Sequence, residues 1–179
     1  MADLHVFSNG ILIAGGKRYR CALGPAGVVT RKTEGDGGTP AGTFPLRRVH
    51  YRADRRAAPE TGLPVREIGE DDGWCDDPSH AAYNTLVDLP TDASHEIMRR
   101  DDPIYDVVVE IGYNDDPPIP GQGSAIFMHV ARPDYSPTAG CVALAPSDLD
   151  GLLKGLDIES RIHIYKVAAP DHGVDDLLD

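Results

Sequence analysis

Glycine and proline punctuate this chain so densely that it is expected to fold as short strands joined by turns: 19 glycines and 15 prolines are spread over 179 residues. Glycine opens the positive-φ corners that tight turns need, and proline removes a donor from any ladder it enters. A helix bundle needs longer uninterrupted segments and is disfavoured by the same spacing. With 41% of residues apolar, a chain of this length can bury its own core without disulfide or metal staples, so residues 1–179 read as one domain.

Three apolar pieces near the start, Leu4 to Phe7, Gly10 to Ala14 and Tyr19 to Leu23, are separated by Ser-Asn-Gly and Gly-Gly-Lys, which have hairpin-turn composition. They predict an antiparallel meander. Residues 27–33 predict another short strand, residues 34–44 are too rich in Gly and Pro for regular structure, and Phe44 to Tyr51 resumes an extended pattern. Residues 52–82 read as a long polar surface excursion. Thr91, Asp92 and Ser94 offer caps for a short helix over about His95 to Arg100, closed by Pro103. Tyr105 to Tyr113 and Ser124 to Val130 predict two buried strands, with His129 near the end of the second. Ala145 to Asp148 lead into a helix over about Leu149 to Leu156, Arg161 to Val167 alternates as a last strand, and residues 168–179 read as a loose tail.

Charge and cysteine usage narrow the function classes. The formal net charge of −12 repels phosphate backbones and anionic lipid alike, so nucleic acid and membrane surfaces are not expected partners. The first 20 residues lack a basic start and an unbroken apolar run, and no export signal or membrane span is read in the chain, which predicts a cytoplasmic location. Cys21, Cys75 and Cys141 are odd in number and widely spaced, without a CxxC pair or a His/Cys ladder. Neither a disulfide framework nor a zinc site is expected, and no metal or organic cofactor is called for. The oligomeric state is not encoded in any of these features.

The chemistry concentrates in HVARPDYSPTAGCVAL, residues 129–144. A cysteine nucleophile works as the thiolate, and an imidazole that takes its proton is the expected partner. Arg132, Pro133, Pro137 and Gly140 suit a loop that folds back and lets Cys141 meet His129. Gly140 permits a backbone conformation closed to other residues and turns nearby amides toward one point, as an oxyanion site requires. The plainer alternative is a buried thiol acting as a small hydrophobe beside a satisfied histidine. Cys75, flanked by Asp76 and Asp77, is the weaker nucleophile because like charge disfavours its thiolate.

The same segment resembles the signature of the L,D-transpeptidase catalytic domain, the YkuD-like family: a His, a loop, Ser or Thr, any residue, Gly, Cys and an apolar residue, here His129, Thr138, Ala139, Gly140, Cys141 and Val142. Lys32, Glu34, Gly35, Asp36, Thr39, Pro40, Ala41, Gly42 and Phe44 resemble the family's KxEGDGxTPxGxF segment. Gly73 to Pro78, Tyr83-Asn84 and Gly123 to Phe127 resemble one subgroup. Many exported members carry an Arg soon after the Cys, where this chain has Val142, Ala143 and Leu144.

The resemblance implies a mainly β fold, a curved sheet or sandwich with one or two short helices, and a thioester mechanism on peptidoglycan-derived peptides. Cys141 would attack the carbonyl of a diamino acid in the amide joining it to a terminal D-alanine, His129 would move the proton, and amides near Gly140 and Cys141 would hold the oxyanion. Thr138 is a substrate-binding candidate in that loop. Trp74 and Tyr83 either line the cleft or pin a loop to the core, and Arg132 or Lys32 would supply the missing carboxylate recognition. Water as acceptor gives an L,D-carboxypeptidase trimming recycled muropeptide tetrapeptides. An amine acceptor gives an L,D-transpeptidase or D-amino-acid exchange enzyme, and a non-catalytic peptidoglycan-binding module is the third reading.

Overall fold

The computed structural model describes residues 3–171. Its strands, in chain order, are β1 (Leu4–Phe7), β2 (Ile11–Ala14), β3 (Lys17–Arg20), β4 (Val28–Val29), β5 (Thr39–Pro40), β6 (Gly42–Tyr51) and β7 (Val65–Glu67). There follow β8 (Asp72–Cys75), β9 (Leu86–Asp88), β10 (His95–Ile97), a 3-10 turn (Pro103–Tyr105), β11 (Val107–Ile111), β12 (Phe127–Val130), β13 (Val142–Leu144), the helix α1 (Pro146–Leu153) and β14 (Arg161–Tyr165).

The main sheet runs β13-β12-β11-β6-β14-β1-β2-β3, with β7 added to β6. β1, β2 and β3 form the expected antiparallel meander. Just beyond β3, Ala22 bridges to Ala143 of β13. That bridge links the two ends of the strand order, so the sheet curls round into a barrel-like form. The fold is thus mainly β and carries one α-helix among the described residues.

Side chains alternate across this sheet with a period of two. On one face Val49, Val107, Val109, Met128, Val130, Val142 and Leu144 join Leu149, Leu152 and Leu153 of α1 in the main core. On the other, Val108, Phe127 and Cys141 join Trp74, Met98 and Tyr105 in a smaller cluster. α1 starts at Pro146, whose fixed φ suits a first helical position, and Asp148 lies in its first turn, where the helix dipole favours a negative charge.

Several expectations are corrected. Residues 95–100 do not form a helix: His95–Ile97 is β10, which pairs antiparallel with β8, Glu96 opposite Trp74. Six residues would leave most of a helix's backbone groups unpaired, whereas pairing with β8 satisfies them and buries Met98. The strand over 27–33 shrinks to β4, which pairs only with β5. The excursion at 52–82 contains β7 and β8, and Asp72 to Cys75 are buried. The last helix begins and ends three residues early, at Pro146 and Leu153. The start of the expected tail is tied down, since Asn9 Oδ1 accepts from the Ala169 N–H and Arg18 donates to the Pro170 carbonyl. Residues 172–179 lie outside the described residues.

Candidate active site

β12 and β13 run parallel, in the register Met128↔Val142, His129↔Ala143 and Val130↔Leu144. A parallel neighbour cannot be reached by a tight turn, so the chain returns to the same end of the sheet through a long connection, residues 131–141. Cys141 enters β13 opposite Phe127, one pleat from His129 and on the same face of the sheet. The fold-back expected from the sequence is therefore a consequence of strand pairing. Both residues line one cavity of about 360 Å³, shared with Lys32, Thr138 and Arg132.

Proton positions follow from hydrogen bonding. The Val130 carbonyl can only accept, so His129 Nδ1–H donates to it at 2.9 Å, which leaves Nε2 as the basic nitrogen. The buried Tyr105 ring sits edge-on to the imidazole, with centroids 5.3 Å apart. Burial holds the imidazole down at about 4 and, reinforced by the negative charge of Glu96, pushes the Cys141 thiol up to about 12. At neutral pH the resting pair is a thiol and a neutral imidazole.

The thiol does not face the imidazole at rest. Cys141 Sγ–H donates to the Ala125 carbonyl at 3.2 Å, and the Phe127 N–H donates to the sulfur at 3.4 Å. The thiol proton must leave the Ala125 carbonyl before it can pass to His129. Such rearrangement between free and substrate-bound states is common in catalytic pairs.

Gly140 has φ +128°, and a Cβ there would come 2.6 Å from the Gly38 carbonyl oxygen, so the close approach of the Gly-rich 34–38 turn excludes a side chain. Of the amides near Gly140 and Cys141 expected to hold an oxyanion, the Gly140 N–H donates to Thr138 Oγ1 at 3.1 Å at rest. Thr138 Oγ1–H in turn donates to the Cys141 carbonyl at 2.7 Å. Thr138 lines the cavity and also braces the turn that presents the thiol. The Cys141 N–H makes no hydrogen bond among the described residues and is the amide left to meet an oxyanion.

Trp74 and Tyr83 fall behind the cavity wall. Trp74 packs edge-on against Phe127 at 5.0 Å and donates through Nε1 to Asn84 Oδ1, which also accepts from the Ala125 N–H. They pin a loop, because an indole this buried meets protein on every side. Through Asn84 that loop fixes Ala125, whose carbonyl holds the thiol. Tyr83 O–H donates to Glu34 Oε2 at 2.8 Å and accepts from the Gly123 N–H.

The basic candidates divide. Lys32 lines the cavity, but its Nζ lies 2.6 Å from Asp36 Oδ1, and Asp36 is held down at about 2 by that ammonium and by the Thr33 and Gly38 amides, against the cost of burial. Its charge is already balanced. Arg132 is half-exposed with only Asp102 near it, at 3.6 Å, and remains available to an anion. Sequence reasoning missed Arg100, Tyr105 and Glu96, all on the cavity wall. Glu96 and Arg100 fall in the segment expected to be helical, which would turn their side chains in other directions, and Tyr105, expected to open a strand, instead ends the 3-10 turn that comes before β11.

A model of the YkuD L,D-transpeptidase catalytic domain matches residues 4–164, nearly the whole described chain. This chain belongs to that family. Among solved structures it resembles the helical cell shape determining protein Pgp2 from Campylobacter jejuni, at 14% identity over 98% of this chain and 51% of that one, with a TM-score of 0.45. It also resembles Mycobacterium tuberculosis L,D-transpeptidase 1, at 12% identity over 91% and 58% with a TM-score of 0.41, and the L,D-transpeptidase from Mycobacterium smegmatis, at 13% over 92% and 58% with 0.40. The chain spans about half the length of these structures. No curated protein matches it. Among the described residues no three His, Cys, Asp or Glu side chains gather as metal ligands, and no helix is long and apolar enough to cross a membrane.

Proposed function

We propose that this L,D-transpeptidase-family chain is a cysteine acyl-transfer enzyme that removes the terminal D-alanine from peptidoglycan stem tetrapeptides, with water as the acceptor. The observation that carries this reading is the pairing of β12 with β13, which sets Cys141 and His129 on one face in one cavity. Cys141 Sγ attacks the carbonyl carbon, and His129 Nε2 takes the thiol proton. The oxyanion is met by the Cys141 N–H. His129 then gives its proton to the leaving nitrogen, the C–N bond breaks and D-alanine departs. Water adds to the thioester with His129 as base, the C–S bond breaks and the thiol is restored.

Arg132, half-exposed on the cavity wall, takes a substrate carboxylate in this reading, the task proposed for the Arg after the Cys in many exported members. A cavity of about 360 Å³ is at the small end of ligand sites and suits one peptide end better than a donor and an acceptor together, which favours water over a second peptide. In this reading the substrate is a soluble cytosolic muropeptide. The test is mass spectrometry of a tetrapeptide digest with and without an added D-amino acid. Tripeptide accumulation with little exchange is expected; efficient incorporation of the added amino acid would make the chain a transpeptidase.

A further inference from the structure

Four residues other than glycine hold a positive φ among the described residues: Asn84 at 57°, Asn114 at 50°, Ala125 at 53° and Tyr135 at 52°. Asparagine tolerates this region because its short amide can hydrogen-bond to nearby backbone, whereas alanine has no such means. Ala125 is therefore strained, and strain of this kind persists only where the surroundings impose it, most often at working sites. Ala125 is also the residue whose carbonyl accepts from the Cys141 thiol at 3.2 Å.

The bonds that impose it converge on one side chain. Asn84 Oδ1 accepts from the Ala125 N–H at 3.0 Å and from Trp74 Nε1 at 2.9 Å. Asn84 Nδ2 donates to the Asn114 carbonyl at 2.7 Å and to the Tyr113 carbonyl at 3.1 Å. Both donors and both lone pairs of the amide are used, and its orientation is settled because indole and backbone N–H groups only donate and carbonyls only accept. Asn114 continues the network by donating to the Gly123 carbonyl at 2.9 Å. The long connection from β11 to β12 thus takes its shape from two asparagines, and Asn84 grips it just before β12 begins. Asn84 itself is buried and lies outside the cavity.

We infer that Asn84 is a positioning residue for the reaction: it acts on Cys141 through Ala125, fixing the carbonyl that keeps the thiol protonated and in place until substrate arrives. The inference rests on the acyl-transfer reading and adds to it the group that sets where the sulfur starts. A hydrogen bond donated by the thiol favours its protonated form, and it holds the thiol in one direction only if the accepting carbonyl is itself held. The Asn84 amide does this by gripping the Ala125 N–H. Without that grip Ala125 relaxes from its positive φ and its carbonyl swings away from the sulfur. The free protein then carries more thiolate, while attack on substrate begins from a scattered set of sulfur positions. Substrate binding is spared, because Asn84 does not line the cavity.

The test measures iodoacetamide alkylation of the free protein, mapped separately at Cys21, Cys75 and Cys141, beside D-alanine release from a stem tetrapeptide. Asn84→Gly, which keeps the positive φ and removes the amide, should alkylate at Cys141 about tenfold faster, in step with about tenfold more thiolate. The buried Cys21 and Cys75 should stay protected in the same sample. The kcat of Asn84→Gly should fall by about 10- to 100-fold, with KM within about threefold of the wild type. Asn84→Asp, which keeps the oxygen that Ala125 needs, should stay within about threefold of the wild type in Cys141 alkylation. Equal acceleration at all three cysteines would mark a merely loosened fold and overturn the inference. So would unchanged Cys141 alkylation in Asn84→Gly, a change in KM without one in kcat, or an Asn84→Asp variant as reactive as Asn84→Gly. Hydrogen exchange of the wild type needs no variant: the Ala125 amide should exchange slowly, and fast exchange there would also overturn the inference. Faster Cys141 alkylation in Asn84→Gly, with no D-alanine release by that variant or the wild type, would uphold the hold on the thiol while removing the acyl-transfer reading.

Discussion

Along β12, Met128 and Val130 enter a core closed by Leu144, Leu149 and Leu153, whereas Phe127 and His129, one step out of phase, share the other face with Tyr105, Trp74 and Cys141. Both faces are buried, but the first is packed with aliphatic side chains and the second holds His129, Cys141 and carboxylates around a cavity. The first face fixes the position of the strands. The second uses that position, and its burial keeps His129 neutral and the Cys141 thiol protonated until substrate arrives. Stability and activity should therefore separate by residue parity.

The largest expected effect lies on the reactive face. Cys141→Ala should lower D-alanine release by roughly 10⁴-fold or more while leaving the folded state intact, read from steady-state kinetics beside a thermal melt. On the dry face, Leu144→Ala should cost about 2–5 kcal/mol in urea unfolding with little change in activity per folded molecule. Equal losses of activity and stability in both variants would break the distinction.

His129 links the faces to pH. Its folded value, about 4, lies below the ordinary 6.5 because burial disfavours the imidazolium. Between those values the unfolded chain binds a proton that the folded chain does not, so stability falls as pH drops from 6.5 to 4, by up to about 3 kcal/mol. His129→Gln should flatten that part of the stability profile. The smallest effect is expected at Thr138→Val, which removes the brace on the Cys141 turn and should cost about 1 kcal/mol with a lower kcat and a nearly unchanged KM.

What the sequence made legible was local or covalently close. The meander at 4–20 could be read from its turns, and the return of the chain that brings His129 and Cys141 to one cavity from the Pro133, Pro137 and Gly140 between them. What escaped depended on pairing between distant segments. Nothing in His95 to Arg100 itself says that it will lie against Asp72 to Cys75, so its caps suggested a helix, and Glu96 and Arg100 were lost from the site. Trp74 and Tyr83 were visible as aromatic residues in family-like motifs. Only Asn84, linking Trp74 to Ala125, shows that they support the wall from behind. The steric demand at Gly140 was legible in the sequence, whereas the contact of its amide with the Thr138 hydroxyl, a side-chain contact within the loop, was not.

The most direct test of the account is the intact mass of the protein quenched in acid shortly after mixing with a stem tetrapeptide, followed by proteolytic mapping of any adduct. The account expects a tripeptide acyl group on Cys141, released D-alanine in matching amount, and neither with Cys141→Ala. An adduct on Cys21 or Cys75, or D-alanine release that persists in Cys141→Ala, would contradict it.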